Sequence, residues 1–302
     1  MSGLFQEENQ REPPPPEGPG LFGGTPGPEP VHAGPYRVLA RKYRPARFDD
    51  LIGQEAMVRI LRNAFATGRV AHAFMLTGVR GVGKTTTARI IARALNCTGP
   101  DGKGGPTADP CGVCADCAAI LADRHPDVVE MDAASRTGVD DVREIIEATR
   151  FRPMQARTKV FVIDEVHMLS RNAFNALLKT LEEPPPHVKF VFATTELRKV
   201  PVTVLSRCQR FDLRRVRVAE LATHFARIAE GEAVAVEPAA LDLIARAADG
   251  SVRDGLSLLD QAIAQADGPV TEAAVVNMLG LADRGMVFDL MDAVMSGQAR
   301  QA

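Results

Sequence analysis

A glycine-rich run that ends in lysine and threonine is the part of the sequence best suited to chemistry. The run and the threonine that follows it comprise Gly78, Val79, Arg80, Gly81, Val82, Gly83, Lys84, Thr85 and Thr86. Glycines let a backbone curl so that its amides point at phosphate oxygens, and a helix that starts there adds positive charge. Lys84 is expected to neutralise the outer phosphates, and Thr85 to bind Mg²⁺ through its hydroxyl. The pattern predicts a binding loop for ATP rather than a chance glycine-rich turn.

An acidic pair, Asp164 and Glu165, directly follows an apolar run at residues 160–163. The run is typical of a buried central strand, whose end places both carboxylates at the edge of a sheet. Asp164 is expected to hold Mg²⁺ through water, and Glu165 to polarise the water that attacks the terminal phosphate. Acidic residues that merely cap the strand end and the next helix are the alternative. Downstream of a phosphate loop, the pair favours ATP hydrolysis.

Four of the five cysteines, Cys97, Cys111, Cys114 and Cys117, lie in one segment. Four thiolates around one ion are a common tetrahedral site for structural zinc. An iron–sulfur cluster is the rival, but the bacterial ferredoxin spacing requires a cysteine at position 121, where Leu121 stands. A disulfide is disfavoured in a reducing compartment. We therefore predict a Zn²⁺ site with a structural role, because four thiolates leave no open position for a substrate.

Three other groups of residues carry weaker signals. The basic residues at the start of the folded part either contact phosphate or are simply solvated; they are Arg37, Arg41, Lys42, Arg44 and Arg47. The histidines show no metal-binding spacing and are expected to be structural; they include His72, His125, His167 and His187. Cys208 lies apart from the cysteine segment and is expected to be a small buried residue.

The elements that must position these groups follow from the apolar pattern. Short β-rich runs alternate with longer helical stretches, which is typical of crossover units and of an α/β fold with a mostly parallel sheet. The predicted strands cover residues 73–77, 128–132, 159–164 and 189–194, and helices are predicted at 85–95 and 171–182. Ligands in such sheets bind at the carboxyl ends of the strands, where the phosphate loop and the acidic pair both fall.

Composition divides the chain into four segments. Residues 1–35 hold nine of the 21 prolines and are predicted to be a disordered leader. Residues 36–212 are predicted to form the nucleotide-binding domain, with a zinc insertion at about 97–120. Residues 213–280 read as several amphipathic helices and predict a small helical lid domain. Residues 281–302 are expected to begin a collar domain that is truncated here.

Charge and hydropathy limit the partners and the compartment. The 302 residues suit about two domains, and 45% hydrophobic residues are enough for a sizeable core. A net charge of −2 gives no overall attraction to nucleic acid, so any such contact must be local. The sequence contains neither a membrane-spanning apolar run nor a signal peptide, and we expect a cytoplasmic protein without membrane contact.

Five further strings in the sequence are long and specific. They are Asp164-Glu165-Val166-His167-Met168-Leu169-Ser170, Leu177-Leu178-Lys179-Thr180-Leu181-Glu182-Glu183-Pro184-Pro185, Arg41-Lys42-Tyr43-Arg44-Pro45, Ala193-Thr194-Thr195 and Ser206-Arg207-Cys208. They resemble the bacterial clamp-loader gamma/tau family, and the likeness runs from about Tyr36 to the C-terminus. The resemblance implies a phosphate-loop ATPase domain of the AAA+ kind, in which a cysteine module is inserted, followed by a helical lid and a collar.

The resemblance also implies roles for three residues. Thr195 corresponds to a first sensor, which orients the attacking water at a strand end. Arg207 corresponds to an arginine finger that reaches the ATP of a neighbouring subunit, and Arg253 to a second sensor that reaches the γ-phosphate from the lid. Guanidinium groups are always charged and bind phosphate in a bidentate manner, which suits both arginines. Ordinary surface arginines paired with acids are the alternative.

The function implied by the family is ATP-driven loading of a sliding clamp onto primed DNA, within the DNA polymerase III complex. Its partners would be delta, delta prime and further gamma/tau copies in a pentameric ring. Two alternatives are another AAA+ DNA motor, such as one for branch migration, and a non-catalytic clamp-loader scaffold. The cysteine cluster argues against the first, and the intact phosphate loop and acidic pair argue against the second. Because the collar is incomplete, we expect weak assembly, which a stable pentamer in native mass measurements would contradict.

Overall fold

The structure, a computed structural model, describes residues 36–266, 268–280 and 291–297. The predicted leader at residues 1–35 lies outside this part, as does most of the predicted collar segment, of which only a short helical turn at residues 291–295 is described. No helix in the described ranges is both long and apolar enough to cross a membrane.

Five parallel strands form one sheet in the order β2-β3-β4-β1-β5. The strands are β1 (Ala73–Thr77), β2 (Val128–Asp132), β3 (Lys159–Asp164), β4 (Val188–Thr194) and β5 (Gln209–Asp212). Because the three central strands β3, β4 and β1 lie next to each other, their carboxyl ends meet at one edge of the sheet.

Helices connect the strands and continue after the sheet. The helices are α1 (Leu39–Lys42), α2 (Glu55–Ala66), α3 (Lys84–Asn96), α4 (Ala115–Leu121), α5 (Val139–Thr149), α6 (Arg171–Glu182), α7 (Val202–Leu205), α8 (Val218–Gly231), α9 (Pro238–Ala247), α10 (Val252–Gln265) and α11 (Glu272–Leu279). Short 3₁₀ turns occur at Phe48–Asp50, Val166–Met168 and Leu197–Lys199.

The side chains of the central strands alternate between two hydrophobic cores, one on each face of the sheet. On β1, Phe74 and Leu76 face the core built with α2 and α3, whereas Met75 faces the core built with α5 and α6. In the second core the rings of Phe190 and Phe192 stack with centroids 5.7 Å apart. This two-sided burial explains why the central strands are continuously apolar.

A third core lies within the helices α8 to α11, which follow the sheet. Leu39 of α1 is buried in it, so the first helix of the described part of the chain packs against these helices. Helices α8 and α10 cross closely at Gly255, where an added Cβ atom would lie 2.2 Å from the ring of Phe225. We call this group of four helices the lid.

The predicted elements agree closely with the observed ones, except at one edge of the sheet. Strands β1, β2 and β3 have the predicted bounds, and β4 begins one residue earlier than predicted, at Val188. Strand β5 was not predicted, because only Phe211 of its four residues is buried and the others are polar. The lid helices are separated near Gly250 and Gly268, as the glycine positions indicate.

Candidate functional site

The phosphate loop, the acidic pair and the predicted sensor lie side by side at the carboxyl edge of the sheet. Thr77 at the end of β1 pairs in register with Thr194 at the end of β4. Ile163, one residue before Asp164 on β3, pairs with Phe192 of the same strand β4. Loops that leave β1, β3 and β4 therefore share one cleft, which has a volume of about 870 Å³.

The phosphate loop curls through left-handed glycine conformations between β1 and α3. Gly81 has φ +78° and Gly83 has φ +103°, values that residues with a Cβ atom rarely adopt. Helix α3 begins at Lys84, directly after this curl, so its N-terminus faces the cleft. This is the arrangement that binds phosphate through backbone amides and a helix dipole.

The Lys84 side chain is only 5% exposed and turns back onto its own loop. Its ammonium group donates hydrogen bonds to the carbonyl oxygens of Gly78 and Val79, both at 3.0 Å. Burial lowers the pKa of Lys84, and the nearby carboxylates of Glu165 and Asp164 oppose that shift. An anionic phosphate in the cleft would place a full negative charge next to the Lys84 ammonium, whereas the neutral carbonyl groups offer only partial charges.

Thr85 and Asp164, the two predicted ligands of Mg²⁺, are in direct contact. The hydroxyl of Thr85 donates to a carboxylate oxygen of Asp164 at 2.5 Å. Both groups offer the hard oxygen ligands that Mg²⁺ prefers, and both line the cleft beside the phosphate loop. The donor set therefore fits a magnesium ion bound with the phosphates of a nucleotide.

Glu165, the predicted base, is held by the predicted sensor. Its carboxylate accepts hydrogen bonds from the backbone amide of Thr195 at 3.2 Å and from the Thr195 hydroxyl at 2.9 Å. Glu165 also has a left-handed backbone, with φ +46°, which is uncommon outside glycine. Backbone strain of this kind often occurs at the functional sites of proteins.

His167 belongs to the same constellation, although sequence analysis gave it only a structural role. Its Nδ1 atom lies 3.0 Å from the Thr194 hydroxyl and 3.4 Å from the Glu165 carboxylate. Its Nε2 atom lies 3.6 Å from the carboxylate of Glu196. His167 was visible in the sequence two residues after Glu165. Its contacts with Glu165, the predicted base, and with Thr194 became visible only in the folded structure.

The lid closes the cleft over the phosphate loop. The backbone amide of Arg253, at the start of α10, donates to the carbonyl oxygen of Gly81 at 3.3 Å. A Cβ atom added to Gly81 would lie 1.9 Å from the hydroxyl of Ser251, so only glycine permits this approach. Arg253 lines the cleft, which places the predicted second sensor at the phosphate end.

An N-terminal segment, residues 38–47, lines the other side of the cleft, and we call it the strap. Within it Arg44 donates to the hydroxyl of Thr86 at 3.2 Å, and burial lowers the pKa of this guanidinium. Lys42 and Tyr43 both bind Glu232 at the end of α8, at 2.7 and 2.5 Å, which ties the strap to the lid. Within the basic cluster, Arg41 and Arg44 line the cleft, whereas Lys42 forms an ion pair with Glu232.

Arg207, the predicted finger, does not reach the cleft of its own chain. The guanidinium group binds the carboxylate of Glu182 on α6 and the carbonyl oxygen of Thr203, the latter at 2.6 Å. It does not belong to the described residues that line the cleft. Cys208 beside it packs against the core under α6, and burial raises the pKa of its thiol to about 12.

The four clustered cysteines are brought together, with all sulfur atoms within 4.8 Å of one another. Tetrahedral coordination with Zn–S bonds of about 2.3 Å separates sulfur atoms by roughly 3.8 Å, which this cluster can accommodate. The Cys111 amide donates to the sulfur of Cys97, and the Cys114 amide to that of Cys111, both at 3.3 Å. Such N–H donors stabilise thiolates, so the geometry fits a bound zinc ion.

The electrostatics of the cluster favour thiolate at one position. Burial alone would raise the pKa of Cys114, but hydrogen bonds from Thr98 and from the amide of Cys117 outweigh it and lower the pKa to about 6. Burial raises the pKa of Cys117 to about 12, despite a hydrogen bond from the amide of Gly112. A divalent cation would supply the positive charge needed to deprotonate the remaining thiols.

Family models match the chain over most of its described length. A model described as DNA polymerase III, delta subunit, matches residues 53–217. A model of the DNA polymerase III clamp loader subunit, ATPase lid domain, matches residues 220–268, and one of DNA polymerase III subunits gamma and tau, domain III, matches residues 270–302.

Individual relatives agree with the family models, and a solved structure shares the fold. The chain is 50% identical to DNA polymerase III subunit tau of Escherichia coli, over 88% of this chain and 41% of that protein, so it spans about two fifths of that relative. It is 45% identical to DNA polymerase III subunit gamma of Buchnera aphidicola, over 88% of this chain and 72% of that protein. A solved structure of the Thermotoga maritima RuvB Holliday junction branch migration motor shares the fold, with a TM-score of 0.57 and 22% identity over 79% of this chain and 72% of that one. The chain therefore belongs to the gamma/tau family of DNA polymerase III clamp-loader subunits, a family of AAA+ ATPases.

Proposed function

We propose that this chain binds and hydrolyses ATP as a motor subunit of a clamp loader, which places a sliding clamp on primed DNA. One observation carries the proposal: the ammonium of Lys84, the paired Thr85 and Asp164, and the carboxylate of Glu165 all line one cleft beneath Arg253. The names of the curated relatives, subunits of DNA polymerase III, support the place of this activity in DNA replication.

Each group has a distinct part in the proposed reaction. Lys84 exchanges its loop carbonyl partners for the terminal phosphates of ATP and compensates their charge. Glu165 accepts a proton from the attacking water, while Thr195 holds that carboxylate and the water in line. Arg253 stabilises the negative charge of the transition state from the lid side. Arg44 fixes the strap against Thr86 at the start of α3.

Two metal ions belong to the proposal. Thr85 and Asp164 hold Mg²⁺, which when bound neutralises charge on the phosphate oxygens. The four clustered cysteines hold Zn²⁺ with a structural role, because a complete thiolate shell leaves no position for a reactant. Thiol ligands of this kind persist in a reducing compartment, which agrees with a cytoplasmic location.

Assembly supplies the remaining catalytic group. Arg207 lies outside its own cleft and is 30% exposed on the side chain, which supports a role at the ATP of a neighbouring subunit. The proposed neighbours are delta, delta prime and further gamma/tau copies in a pentameric ring. The sliding clamp and primed DNA are the proposed substrates of that ring.

ATP turnover by the Lys84→Ala variant tests the proposal. The variant loses the charge that compensates the phosphates, so we expect turnover to fall to background with or without primed DNA and a clamp. Lys103→Ala is the matched control, because Lys103 is an exposed lysine on the cysteine-containing loop and lies outside the cleft. The wild type should respond to the clamp and primed DNA when delta and delta prime are present. Unchanged turnover in Lys84→Ala would reject the assignment.

A further inference from the structure

Arg93 on α3 is a buried cation with incomplete pairing. It is 2% exposed and is one of the largest completely buried side chains in the described part of the chain. Its Nη1 group donates to the carbonyl oxygen of Ala46, whereas its Nε group has no hydrogen-bond partner among the described residues. None of the ion pairs found within the described ranges includes Arg93.

Such an environment requires a negative charge from another source. A buried ion without a partner lowers the free energy of unfolding by about several kcal/mol, even after the protein relaxes around it. One neutral carbonyl group, that of Ala46, offsets only part of this cost. A negatively charged group beside the guanidinium would offset the remainder of this cost.

The cysteine cluster is a source of negative charge close to Arg93. The Nη2 atom of Arg93 lies against Gly112, since a Cβ atom added to Gly112 would be 3.4 Å from it. Gly112 is flanked by Cys111 and lies two residues before Cys114. Cys97 follows Arg93 by one helical turn, and its amide donates to the Arg93 carbonyl at 2.8 Å. The guanidinium of Arg93 thus lies beside the turn that carries Cys111 and Cys114, and its backbone is bonded to Cys97 at the end of α3.

Charge complementarity supports this pairing. Four thiolates carry more negative charge than one divalent cation neutralises, so a loaded cluster is anionic. A guanidinium group beside an anionic metal centre orients the ligand loop and raises metal affinity. The metal-loaded cluster in turn fixes the guanidinium that would otherwise lack a countercharge.

The opposite end of the same guanidinium holds the strap. Ala46, its hydrogen-bond acceptor, lies two residues after Arg44, which contacts Thr86 in the cleft. Strap residues 40–45 contribute several side chains to the wall of the cleft. A shift of Arg93 would therefore displace both the cysteine-containing loop and the strap, which forms one wall of the cleft.

We propose that Arg93 is a positioning residue that couples metal binding in the cysteine cluster to nucleotide binding in the cleft. The inference rests on the proposed function for its two ligands, zinc and ATP. Coupling of this kind is reciprocal: bound metal tightens nucleotide binding, and bound nucleotide tightens metal binding by the same factor. The zinc site, in this view, is structural for the cleft as well as for its own loop.

Metal affinity is the first measurement. Zn²⁺ binding to the purified chain is followed by competition with a chromophoric chelator, for the wild type, Arg93→Gln and Arg93→Lys. We expect Arg93→Gln to bind Zn²⁺ about 10- to 100-fold more weakly. Arg93→Lys retains the charge but not the fork of donors and should fall in between. Arg124→Gln is the matched control, because Arg124 is an exposed arginine after α4, near the same module.

Nucleotide affinity with and without metal is the second measurement. A fluorescent, non-hydrolysable ATP analogue is titrated into zinc-loaded and chelator-treated protein, with circular dichroism as the check on folding. In the wild type we expect removal of zinc to weaken binding, by a factor on the order of 5 to 150 as is typical of coupled sites. In Arg93→Gln, removal of zinc should leave the affinity for the nucleotide almost unchanged.

The outcomes separate this inference from the proposed function. Equal Zn²⁺ affinity in wild type and Arg93→Gln, or a nucleotide affinity that ignores the metal in the wild type, overturns the coupling. If Arg93→Gln does not fold, the same two measurements are made on Arg93→Lys. Metal and nucleotide binding that are coupled as strongly in Arg93→Lys as in the wild type would reject the role of the guanidinium group. Wild-type protein that binds no nucleotide at all refutes the proposed function instead, while the zinc titrations still test the contact with the cluster.

Discussion

Glu165 combines two features that make it the residue on which turnover should depend most directly. Its carboxylate is fixed by both donors of Thr195, and its backbone occupies the left-handed region. A protein tolerates such a conformation for a bulky residue only where the surrounding contacts enforce it. The end of β3 and Thr195, which directly follows β4, together provide those contacts.

Glu165→Gln should separate binding from hydrolysis. Glutamine keeps the size and one acceptor oxygen for Thr195, but it cannot take a proton from water, so turnover should fall about 10²- to 10⁴-fold. Nucleotide affinity should stay close to that of the wild type. Steady-state turnover and equilibrium binding of ATP measure the two effects.

Glu144→Gln serves as the control for this prediction, because Glu144 is exposed on α5 and away from the cleft. Turnover by Glu165→Gln within a few-fold of the wild type would assign the base to another residue.

The grouping of single residues in space was predictable where a local string carried it. The phosphate loop, the acidic pair and the four cysteines can each be recognised in one stretch of the chain, and the structure brings the members of each group close together. His167 and Arg44 differ, because their functional contacts are with Thr194 and Thr86, which are distant in sequence. Only the packed fold brings such pairs together.

At the scale of elements, one carboxylate ties the loop after α5 to the start of β2. Asp127 is fully buried and accepts hydrogen bonds from the amides of Met154, Gln155 and Ala156, each at 2.8 Å. Burial alone would raise the pKa of Asp127, but these three bonds outweigh it and hold the pKa below its ordinary value of 3.8. The loop is thus anchored by an ionised group.

Asp127→Asn should destabilise the protein and change its response to acid. One amide oxygen cannot replace a carboxylate for three donors, so the free energy of unfolding should fall by about 1–3 kcal/mol. Because the folded pKa is depressed, the contribution of Asp127 is complete above pH 3.8 and is lost as pH falls through the lower value. Denaturant unfolding at several pH values should show a difference from wild type that shrinks in acid.

The control for Asp127 is Asp242→Asn, which changes an exposed carboxylate on α9. A difference between Asp127→Asn and wild type that stays constant down to low pH would contradict an ionised anchor.

Elements that pack on both faces were easier to predict than elements at an edge. Strands β1 and β3 are continuous apolar runs, and their bounds follow from the sequence alone. Strand β5 pairs only with β1 and buries a single phenylalanine, so its residues resemble an ordinary loop. Backbone pairing, which leaves no trace in side-chain pattern, defines that strand.

At the scale of the whole molecule, the cleft holds every predicted catalytic group except one arginine. Arg207 is anchored at Glu182 and Thr203, outside the cleft of its own chain. We therefore propose that Arg207 acts at the nucleotide site of another copy or another subunit.

Mixed assemblies test that arrangement by complementation. In assemblies with delta and delta prime, Arg207→Ala should keep nucleotide binding at its own site but lower turnover by about 10³-fold or more. A mixture of Arg207→Ala with Lys84→Ala should recover part of the lost activity, because one chain offers an intact cleft and the other an intact arginine.

Arg210→Ala is the control, since Arg210 is a nearby arginine paired with Asp212 on β5. A mixture that stays as inactive as each variant alone, or loss of nucleotide binding in Arg207→Ala itself, would place the arginine in its own site.

The two outer strands of the sheet have a consequence for how copies can meet. Strands β2 and β5 are short, and they carry charged side chains such as Glu130, Asp132, Arg210 and Asp212. Short, charged margins discourage a backbone ladder between molecules. Subunits should therefore associate through side-chain contacts rather than through a continuous β-sheet. Side-chain contacts can be broken and reformed more readily than a backbone ladder, so an assembly of such subunits can open reversibly.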